Sequence, residues 1–335
     1  VQYRFLKKIG SGSQSVVYLA DRMGSMNVSL RIALKLLSPA PYIDTDAYLS
    51  EMTRTAQVAI RIAEIQQDHL LDVHNFVEVN GIQIMVMEWV DGFDLKRLVD
   101  PSLLKQAAGT AGQDRWRQIN DVVATAGPSQ VRFKPGVALQ VLRQCLTALS
   151  ALERRNIIHG DMKPANVMLK RTGAVKLVDF GSAFLVDRPR IQPAWTPRYA
   201  APEVIESGRF ERNSDLASLG YVFLELLSGR VPFEEVTTRA QMLAAKQAVH
   251  EQLDDFLPRD VQRDTGLLEL IRGMIHPDPA ERFQSAEEAD LSENGAAAAH
   301  RRLVLGDLSS EYNNDIREWL RFVPALEGDS SPESV

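Results

Sequence analysis

The chain changes character near residue 91. Before that point, short runs rich in β-branched and aromatic residues alternate with turn signals, as in antiparallel strands. The predicted strands are 3–9, 16–20, 32–37, 73–79 and 83–89. The last two flank Asn80-Gly81, a dipeptide typical of a tight hairpin. Beyond residue 91, apolar residues recur at helical spacing, so the pattern predicts an α+β chain in which most strands precede most helices.

The boundaries follow from the same pattern. One long stretch with helical spacing, Ala47 to Gln67, lies within the β-rich part. Further helices are predicted over 137–155, 214–228, 239–253 and 267–275. We predict a β-rich lobe over 1–90 and a helical lobe over 91–305 that carries a loop-rich insertion with one short helix at about 100–135. The tail over 306–335 lies beyond the last of the motifs described below.

Composition excludes several classes of protein. Among the 335 residues, 45% are apolar and 24% are charged, which is ordinary for a globular protein and argues against disorder. The net charge of −6 argues against a protein that coats nucleic acid. The single cysteine, Cys145, cannot form an intramolecular disulfide, and we expect a reducing, cytoplasmic location. No apolar run reaches the length of about 18 residues that a membrane span needs, so none is predicted in this chain.

Two polar turns carry the strongest chemical signal. The first runs from His159 to Asn166, and the second is Asp179-Phe180-Gly181. Two carboxylates, a lysine and an amide at the ends of short strands suit a site that holds metal ions and a phosphate. In such a site Asp161 can accept a proton from an attacking hydroxyl, and Lys163 can neutralise charge on the transferred group.

Two features in the β-rich part point to phosphate as well. The segment from Ile9 to Val17 contains Gly10 and Gly12, and small residues allow backbone N–H groups to approach a phosphate chain. A glycine-rich hairpin alone is more often an ordinary turn. Lys35 shares a strand face with apolar residues, so it is predicted to be buried and to need an anionic partner, either a polyphosphate or a carboxylate.

In this order, the motifs resemble those of the eukaryotic-like Ser/Thr protein kinase family over roughly residues 3 to 290. The series continues with Ala201-Pro202-Glu203, Asp215 and Arg282. The resemblance implies a two-lobed α+β fold with ATP bound between the lobes. The smaller lobe would hold an antiparallel sheet and one long helix, and the larger lobe would be mainly helical.

The resemblance also implies roles for individual residues. The implied nucleotide-binding residues are Ile9, Gly10, Gly12, Val17, Ala33, Lys35, Met87, Glu88, Val90, Asp94 and Met168. The implied catalytic residues are Asp161, Lys163, Lys35, Glu51 and Thr196, and the implied metal ligands are Asn166 and Asp179. The metal would be Mg²⁺, with Mn²⁺ as the alternative. Glu203 and Arg282 would form a buried ion pair, and Asp215 would anchor the backbone of the catalytic loop.

Two glutamates compete as the partner of Lys35. Glu51 lies on the same helical stripe as Thr55, Val58 and Ile62, so it is predicted to face inward, whereas Glu64 lies on a polar stripe. This favours Glu51.

The sequence departs from the family pattern in places that concern regulation. Gly160 replaces the arginine that commonly precedes the catalytic aspartate and binds a phosphate on the activation loop, and Ser15 replaces the third glycine of the phosphate loop.

The tail contains an amphipathic helix with Ile316, Trp319, Leu320 and Val323 on one face. That face is predicted to pack on the chain's own helical lobe, with a docking site for a partner protein, at this helix or at the insertion, as the alternative.

These observations predict a serine/threonine protein kinase that uses MgATP, acts on a protein substrate and needs no activation-loop phosphorylation. The alternative is a pseudokinase that serves as a nucleotide-binding scaffold. The presence of Lys35, Asp161, Asn166 and Asp179 together favours the enzyme. A kinase-fold enzyme for small molecules is a third reading, and the segment from Thr196 to Glu203 favours a peptide substrate over it.

Overall fold

The computed structural model describes residues 2–12, 14–26, 28–111, 113–188, 195–306 and 312–324. These residues divide into two compact units, one ending at Asp91 and the other running from Gly92 to Pro324. No helix within these ranges has the length and apolarity of a membrane span.

The first unit contains one antiparallel sheet with the strand order β1-β2-β3-β5-β4. The strands are β1 (Gln2–Ser11), β2 (Ser15–Met23), β3 (Ser29–Leu37), β4 (Val73–Val79) and β5 (Ile82–Glu88). The predicted hairpin is confirmed: Asn80 and Gly81 have φ values of 52° and 77°, the left-handed conformation that a two-residue turn requires.

The strands β2 and β3 are longer than the sequence predicts, because an ion-pair cluster extends their ladder. Asp21, which lies beyond the predicted end of β2, is opposite Arg4 on one side and Arg31 on the other. Its carboxylate is 2.6 Å from Nη2 of Arg4 and 3.3 Å from Nε of Arg31. These cross-strand partners compensate the burial of the carboxylate and allow the strands to continue past it.

The long helix α1 (Thr45–Ala63) begins at Asp44, whose carboxylate accepts a hydrogen bond from the N–H of Ala47. The helix packs on the sheet through Tyr48, whose hydroxyl donates to the carbonyl of Leu37 at 2.9 Å and accepts from the N–H of Gln83 at 2.8 Å. It ends four residues before the predicted end, where the N–H of Ile65 donates to the carbonyl of Ile62 at 2.9 Å and the backbone tightens from α-helical to i→i+3 bonding.

The second unit is mainly helical. Its helices are α2 (Leu95–Leu98), α3 (Pro101–Ala111), α4 (Gln113–Val123), α5 (Pro135–Glu153), α6 (Pro202–Ser207), α7 (Ser214–Ser228), α8 (Arg239–Glu251), α9 (Leu253–Phe256), α10 (Arg259–Gln262), α11 (Thr265–Ile275), α12 (Ala286–Leu291), α13 (Ala296–Gly306) and α14 (Tyr312–Leu320). Its short strands are β6 (Gly92–Asp94), β7 (Ala124–Ala126), β8 (Val131–Phe133), β9 (Ile157–Ile158), β10 (Val167–Lys170), β11 (Val175–Leu177) and β12 (Phe184–Leu185). The helices α5 and α7 are buried over most of their length and form the centre of the core.

The insertion at 100–135 is not loop-rich, and that prediction is wrong. It folds into α3, α4 and the hairpin of β7 and β8. The physical reason lies far along the chain: the ring of Trp116 stacks on that of Trp319 at 6.4 Å, and Asn120 accepts a hydrogen bond from the indole N–H of Trp319 at 3.1 Å.

The tail helix α14 supplies that tryptophan. Ile316, Trp319, Leu320 and Val323 are all buried in the second unit, as the sequence predicts for packing on the chain's own helical lobe. At its C-terminal end, Arg97 donates to the carbonyl of Pro324 at 3.0 Å and Arg171 to the carbonyl of Leu320 at 3.3 Å. The bond from Arg171 satisfies a carbonyl that the helix end leaves without a helical partner, and the bond from Arg97 holds the segment that follows the helix. The apolar face of α14 is therefore covered by the chain itself.

Candidate active site

The centre of the site is the carboxylate of Asp161, which follows strand β9. One of its oxygens accepts from the hydroxyl of Thr196 at 2.8 Å and from the N–H of the same residue at 3.1 Å. The other accepts from Nζ of Lys163 at 2.5 Å. Lys163 also donates to the hydroxyl oxygen of Thr196 at 3.2 Å. The structure thus brings Thr196 to Asp161 and Lys163, two predicted catalytic residues that lie more than 30 positions earlier in the sequence.

Asn166 lies in the same loop, beside the carboxylate of Asp161. Its side-chain nitrogen donates to the backbone carbonyl of Asp161 at 2.8 Å, which turns the amide oxygen away from Asp161. Its backbone carbonyl accepts from the N–H of Val178 at 2.9 Å, next to Asp179. Pairing of β10 with β11 therefore places both predicted metal ligands at one end of the same hairpin.

Asp179 has a left-handed backbone, with φ 65° and ψ 73°. A non-glycine residue in this region costs on the order of 1–3 kcal/mol, and such residues cluster at functional sites. The carboxylate accepts from the N–H of Gly181 at 3.1 Å, and the ring of Phe180 packs edge-on against His159 at 5.5 Å. These contacts hold the strained turn and keep the side chain of Asp179 exposed.

The oxygen donors of Asn166 and Asp179 fit Mg²⁺. This ion prefers hard oxygen ligands and is commonly held by one or two carboxylates together with substrate phosphates. Within the described ranges, no three His, Cys, Asp or Glu side chains gather into a metal cluster of their own. Two protein oxygen donors are a number typical of a magnesium ion that is also bound by substrate phosphates.

Asp215 holds the loop from below, as the sequence predicts. Its buried carboxylate accepts from the backbone N–H of His159 at 2.6 Å and of Gly160 at 2.9 Å. Burial raises the pKa of Asp215, and the two N–H donors oppose that rise. Gly160 has a φ of 78°, and a Cβ there would lie 3.0 Å from the carbonyl oxygen of Ser182. The backbone thus requires glycine where family members commonly have arginine.

In the first unit, the predicted nucleotide-binding residues line one face of the sheet. Val17 lies opposite Lys35, and Ala33 lies opposite Met87. Directly opposed residues of antiparallel strands share a face. Lys35 is 7% exposed and shares its face with Leu37, which packs on α1. The predicted burial of this lysine is confirmed.

Glu51 and Glu64 differ in burial as the helical stripe predicts. Thr55, Val58 and Ile62 are buried and Glu51 is half-buried, whereas Glu64 is exposed at the C-terminal end of α1. The carboxylate of Glu51 accepts from Nη2 of Arg54 at 2.6 Å and from Nε at 3.0 Å. Pairing of Glu51 with Lys35 stays a prediction.

The remaining nucleotide-binding predictions fall at strand ends. Gly10 lies opposite Val17 and directly follows the half-buried Ile9. Beyond the end of β1, the N–H of Gly12 donates to the carbonyl of Ser15 at 2.8 Å. Glu88 ends β5 and exchanges hydrogen bonds with Asp72, and Val90 is buried beyond it.

Asp94 and Met168, in the second unit, face each other across β6 and β10. The carboxylate of Asp94 caps the N-terminus of α2, where one of its oxygens accepts from the N–H of Arg97 at 2.9 Å. Burial raises the pKa of Asp94.

A cavity of about 760 Å³ opens beside Lys163 and Thr196. Its walls include the loop from Thr196 to Tyr199, and the insertion contributes Gln130. The hydroxyl of Tyr199 donates to one oxygen of Glu225 at 2.7 Å, and the amide of Gln130 donates to the other at 2.8 Å. Burial raises the pKa of Glu225. Sequence reasoning missed Gln130 and Glu225, since only the fold places Gln130 beside α7.

Glu203 and Arg282 form the predicted buried ion pair. Two parallel bonds of 3.0 Å join the guanidinium to the carboxylate, and the hydroxyl of Ser214 donates to the same carboxylate at 2.6 Å. The side chain of Arg282 has no exposed surface. The pair ties α6, which directly follows the Thr196 loop, to the segment before α12.

Comparison with known proteins agrees with this geometry. A family model described as protein kinase domain matches residues 3–291. The serine/threonine-protein kinase PrkC of Bacillus subtilis is 25% identical over 299 residues, which make up 87% of this chain and 40% of that protein. The serine/threonine-protein kinase PknD of Mycobacterium tuberculosis is 30% identical over 314 residues, or 91% of this chain and 40% of the relative. The serine/threonine-protein kinase pkn2 of Myxococcus xanthus is 28% identical over 312 residues, which make up 90% of this chain and 33% of that protein. The chain thus spans less than half the length of these relatives.

Proposed function

This chain belongs to the protein kinase family, and we propose that it transfers the γ-phosphoryl group of MgATP to serine or threonine hydroxyls of a protein substrate. The observation that carries this proposal is the Asp161 carboxylate, which contacts Lys163 and Thr196 beside Asn166. The names of the relatives support serine and threonine as acceptors. A cytoplasmic location, inferred from the single cysteine, completes the proposal.

Asp161 orients the acceptor hydroxyl and takes its proton as the hydroxyl oxygen attacks the γ-phosphorus and the bond to ADP breaks. Thr196 holds one oxygen of Asp161 and so fixes the plane of the carboxylate. Lys163, bound to the other oxygen, places a positive charge beside the transferred group. Asn166 and Asp179 would hold Mg²⁺, which neutralises phosphate charge when bound.

The first unit supplies the proposed nucleotide contacts. Val17, Ala33 and Met87 present apolar surface on the face that carries Lys35, and the backbone from Glu88 to Val90 offers hydrogen bonds to adenine. Ile9, Gly10 and Gly12 would cover the phosphates, and Lys35 would bind them. In the second unit, Asp94 and Met168 would contact the ribose and the base.

Radiolabelled ATP, incubated with the protein and dephosphorylated casein, tests the function. We expect label on casein, recovered as phosphoserine or phosphothreonine. A pseudokinase would bind ATP, measured by a shift in melting temperature, without labelling casein or itself. That result would overturn the proposal.

The choice between the two glutamates of α1 gives a further prediction. Glu51→Gln should lower kcat/KM by about tenfold, because an ion pair that positions a catalytic lysine typically supplies about 1–3 kcal/mol. Glu64→Gln on the exposed face should stay within about twofold of the parent. Steady-state rates at saturating protein substrate, with ATP varied, measure both. A greater loss in Glu64→Gln would show that the other stripe of the helix faces Lys35.

We also propose that activity needs no phosphate on the activation loop. The segment from Asp179 to Glu203 contains only three hydroxyl residues: Ser182, Thr196 and Tyr199. Two are engaged inside the fold, since Thr196 donates to Asp161 and Tyr199 donates to Glu225. Gly160, whose backbone disfavours any side chain, also removes the arginine that would bind such a phosphate.

The enzyme should therefore keep its full initial rate after phosphatase treatment, with mass spectrometry confirming that the segment is unmodified. The assay must be short enough to prevent self-phosphorylation. A lag that disappears after preincubation with MgATP, together with a phosphate mapped to this segment, would contradict the proposal. If such a phosphate exists, the arginines of the same segment, Arg188 and Arg198, are the candidates to bind it. A third arginine of the segment, Arg190, lies outside the described residues.

A further inference from the structure

Helix α8 carries a lysine whose charged end is enclosed by the second unit. Lys246 has no exposed surface. Its Nζ lies 3.6 Å from the ring centre of Tyr221 and 4.5 Å from that of Phe233. Burying an ammonium group is costly unless it gains partners, and aromatic faces supply only part of that compensation. The placement therefore needs a further partner.

That partner is the substrate-side loop. Nζ of Lys246 donates to the backbone carbonyl of Arg198 at 2.8 Å. A hydrogen bond from a charged donor is shorter and roughly twice as strong as a neutral one. Because the peptide group is planar and rigid, holding its carbonyl oxygen also holds the whole plane between Arg198 and Tyr199. The directions in which the side chains of these two residues start from the backbone are thereby restricted. Both residues line the cavity beside Thr196.

Lys246 is the middle of three anchors on this loop. Thr196 is bound to Asp161 at one end, and Tyr199 is bound to Glu225 at the other. The first anchor involves the proposed catalytic carboxylate, whereas the other two hold Arg198 and Tyr199, which line the cavity. Burial lowers the pKa of Lys246, and the charge of Glu203 opposes that change. Because a neutral amine also donates a hydrogen bond, the anchor holds in either protonation state.

We propose that Lys246 is a positioning residue for the protein substrate: it holds the Arg198 peptide and thereby sets the shape of the cavity wall that meets residues next to the acceptor hydroxyl. The proposal rests on the proposed kinase function. Lys246 touches neither nucleotide nor acceptor. Its removal should weaken protein-substrate binding and leave the handling of ATP unchanged.

The test compares Lys246→Met with Gln247→Met, which introduces the same side chain at the next, exposed position of α8. Methionine keeps the length and volume of lysine but cannot donate. We expect the KM for dephosphorylated casein to rise about tenfold in Lys246→Met, as for loss of one charge-assisted hydrogen bond, with kcat and the KM for ATP changed by less than about twofold. Lys246→Arg, which restores a charged donor, should recover most of the loss.

Hydrogen exchange gives a readout that does not depend on activity. Amides of residues 196–200 should exchange faster in Lys246→Met than in Gln247→Met, while those of α5 and α7 should not change. An unchanged casein KM with unchanged exchange in this loop would overturn the proposal. Equal losses in every kinetic constant and faster exchange throughout the unit would also overturn it, because they indicate a purely structural lysine.

If Lys246→Met does not fold, Lys246→Leu, which also lacks a donor, takes its place, with the same two outcomes. Failure of the proposed function is a separate result, since the parent would then label neither casein nor itself. The exchange experiment would still decide the role of Lys246.

Discussion

Asp161→Asn is expected to lower kcat by at least about a hundredfold and to leave MgATP affinity within about threefold of the parent. Asparagine keeps the shape of the side chain and can still accept one hydrogen bond from Thr196, so the loop should keep its fold. It cannot take a proton from the acceptor hydroxyl. Initial rates of casein phosphorylation measure the first effect, and equilibrium nucleotide titration measures the second.

Two comparisons make this result specific. Asp187→Asn changes an exposed carboxylate in the segment after Asp179 and should not affect the rate. Asp179→Asn should weaken MgATP binding as well as turnover, because it removes a charged metal ligand. If Asp161→Asn phosphorylates casein at the parental rate, the catalytic assignment is wrong.

Arg282→Met is expected to reduce the free energy of unfolding of the second unit by about 3–5 kcal/mol. The substitution leaves the carboxylate of Glu203 mostly buried, with the hydroxyl of Ser214 but without its positive partner. The double variant with Glu203→Gln should recover part of this loss, since neither charge then remains unpaired. Denaturant unfolding followed by tryptophan fluorescence measures the stability of both variants against that of the parent.

An exposed ion pair in the same unit provides the control. Arg154 and Glu287 lie 3.4 Å apart with 62% and 61% of their side chains exposed. Arg154→Met should change stability by less than about 1 kcal/mol, since water screens such pairs. Equal effects of Arg282→Met and Arg154→Met would show that the buried pair is not a principal contributor to stability.

The sequence predicts best what local chemistry determines. Asn80-Gly81 specifies a hairpin by its own backbone preference, and the order of polar residues from His159 to Asn166 specifies a loop. Lys35 could be predicted as buried because alternation along one strand is a local property. In each case the information lies within a few residues.

The sequence predicts poorly where stability comes from distant partners. The insertion has glycines and polar residues that indicate loops, yet Asn120 and Trp116 meet Trp319, about 200 positions further on. Lys246 follows Met242 by one helical turn, so the helical period alone places it on the buried side of α8. The period could not show that Tyr221 and Phe233 would enclose the amine.

The contacts of the tail determine where this chain can be divided without opening its core. The family match ends at residue 291, but Trp319 lies inside the same core as Trp116 and Phe133. The ring of Tyr312 fills the space that a side chain at position 136 would take. A protein cut after residue 291 would expose this aromatic cluster to water and leave Gly136 beside a void. Transfer of the catalytic module to another protein, by recombination or by fusion, would therefore have to include the sequence through Pro324.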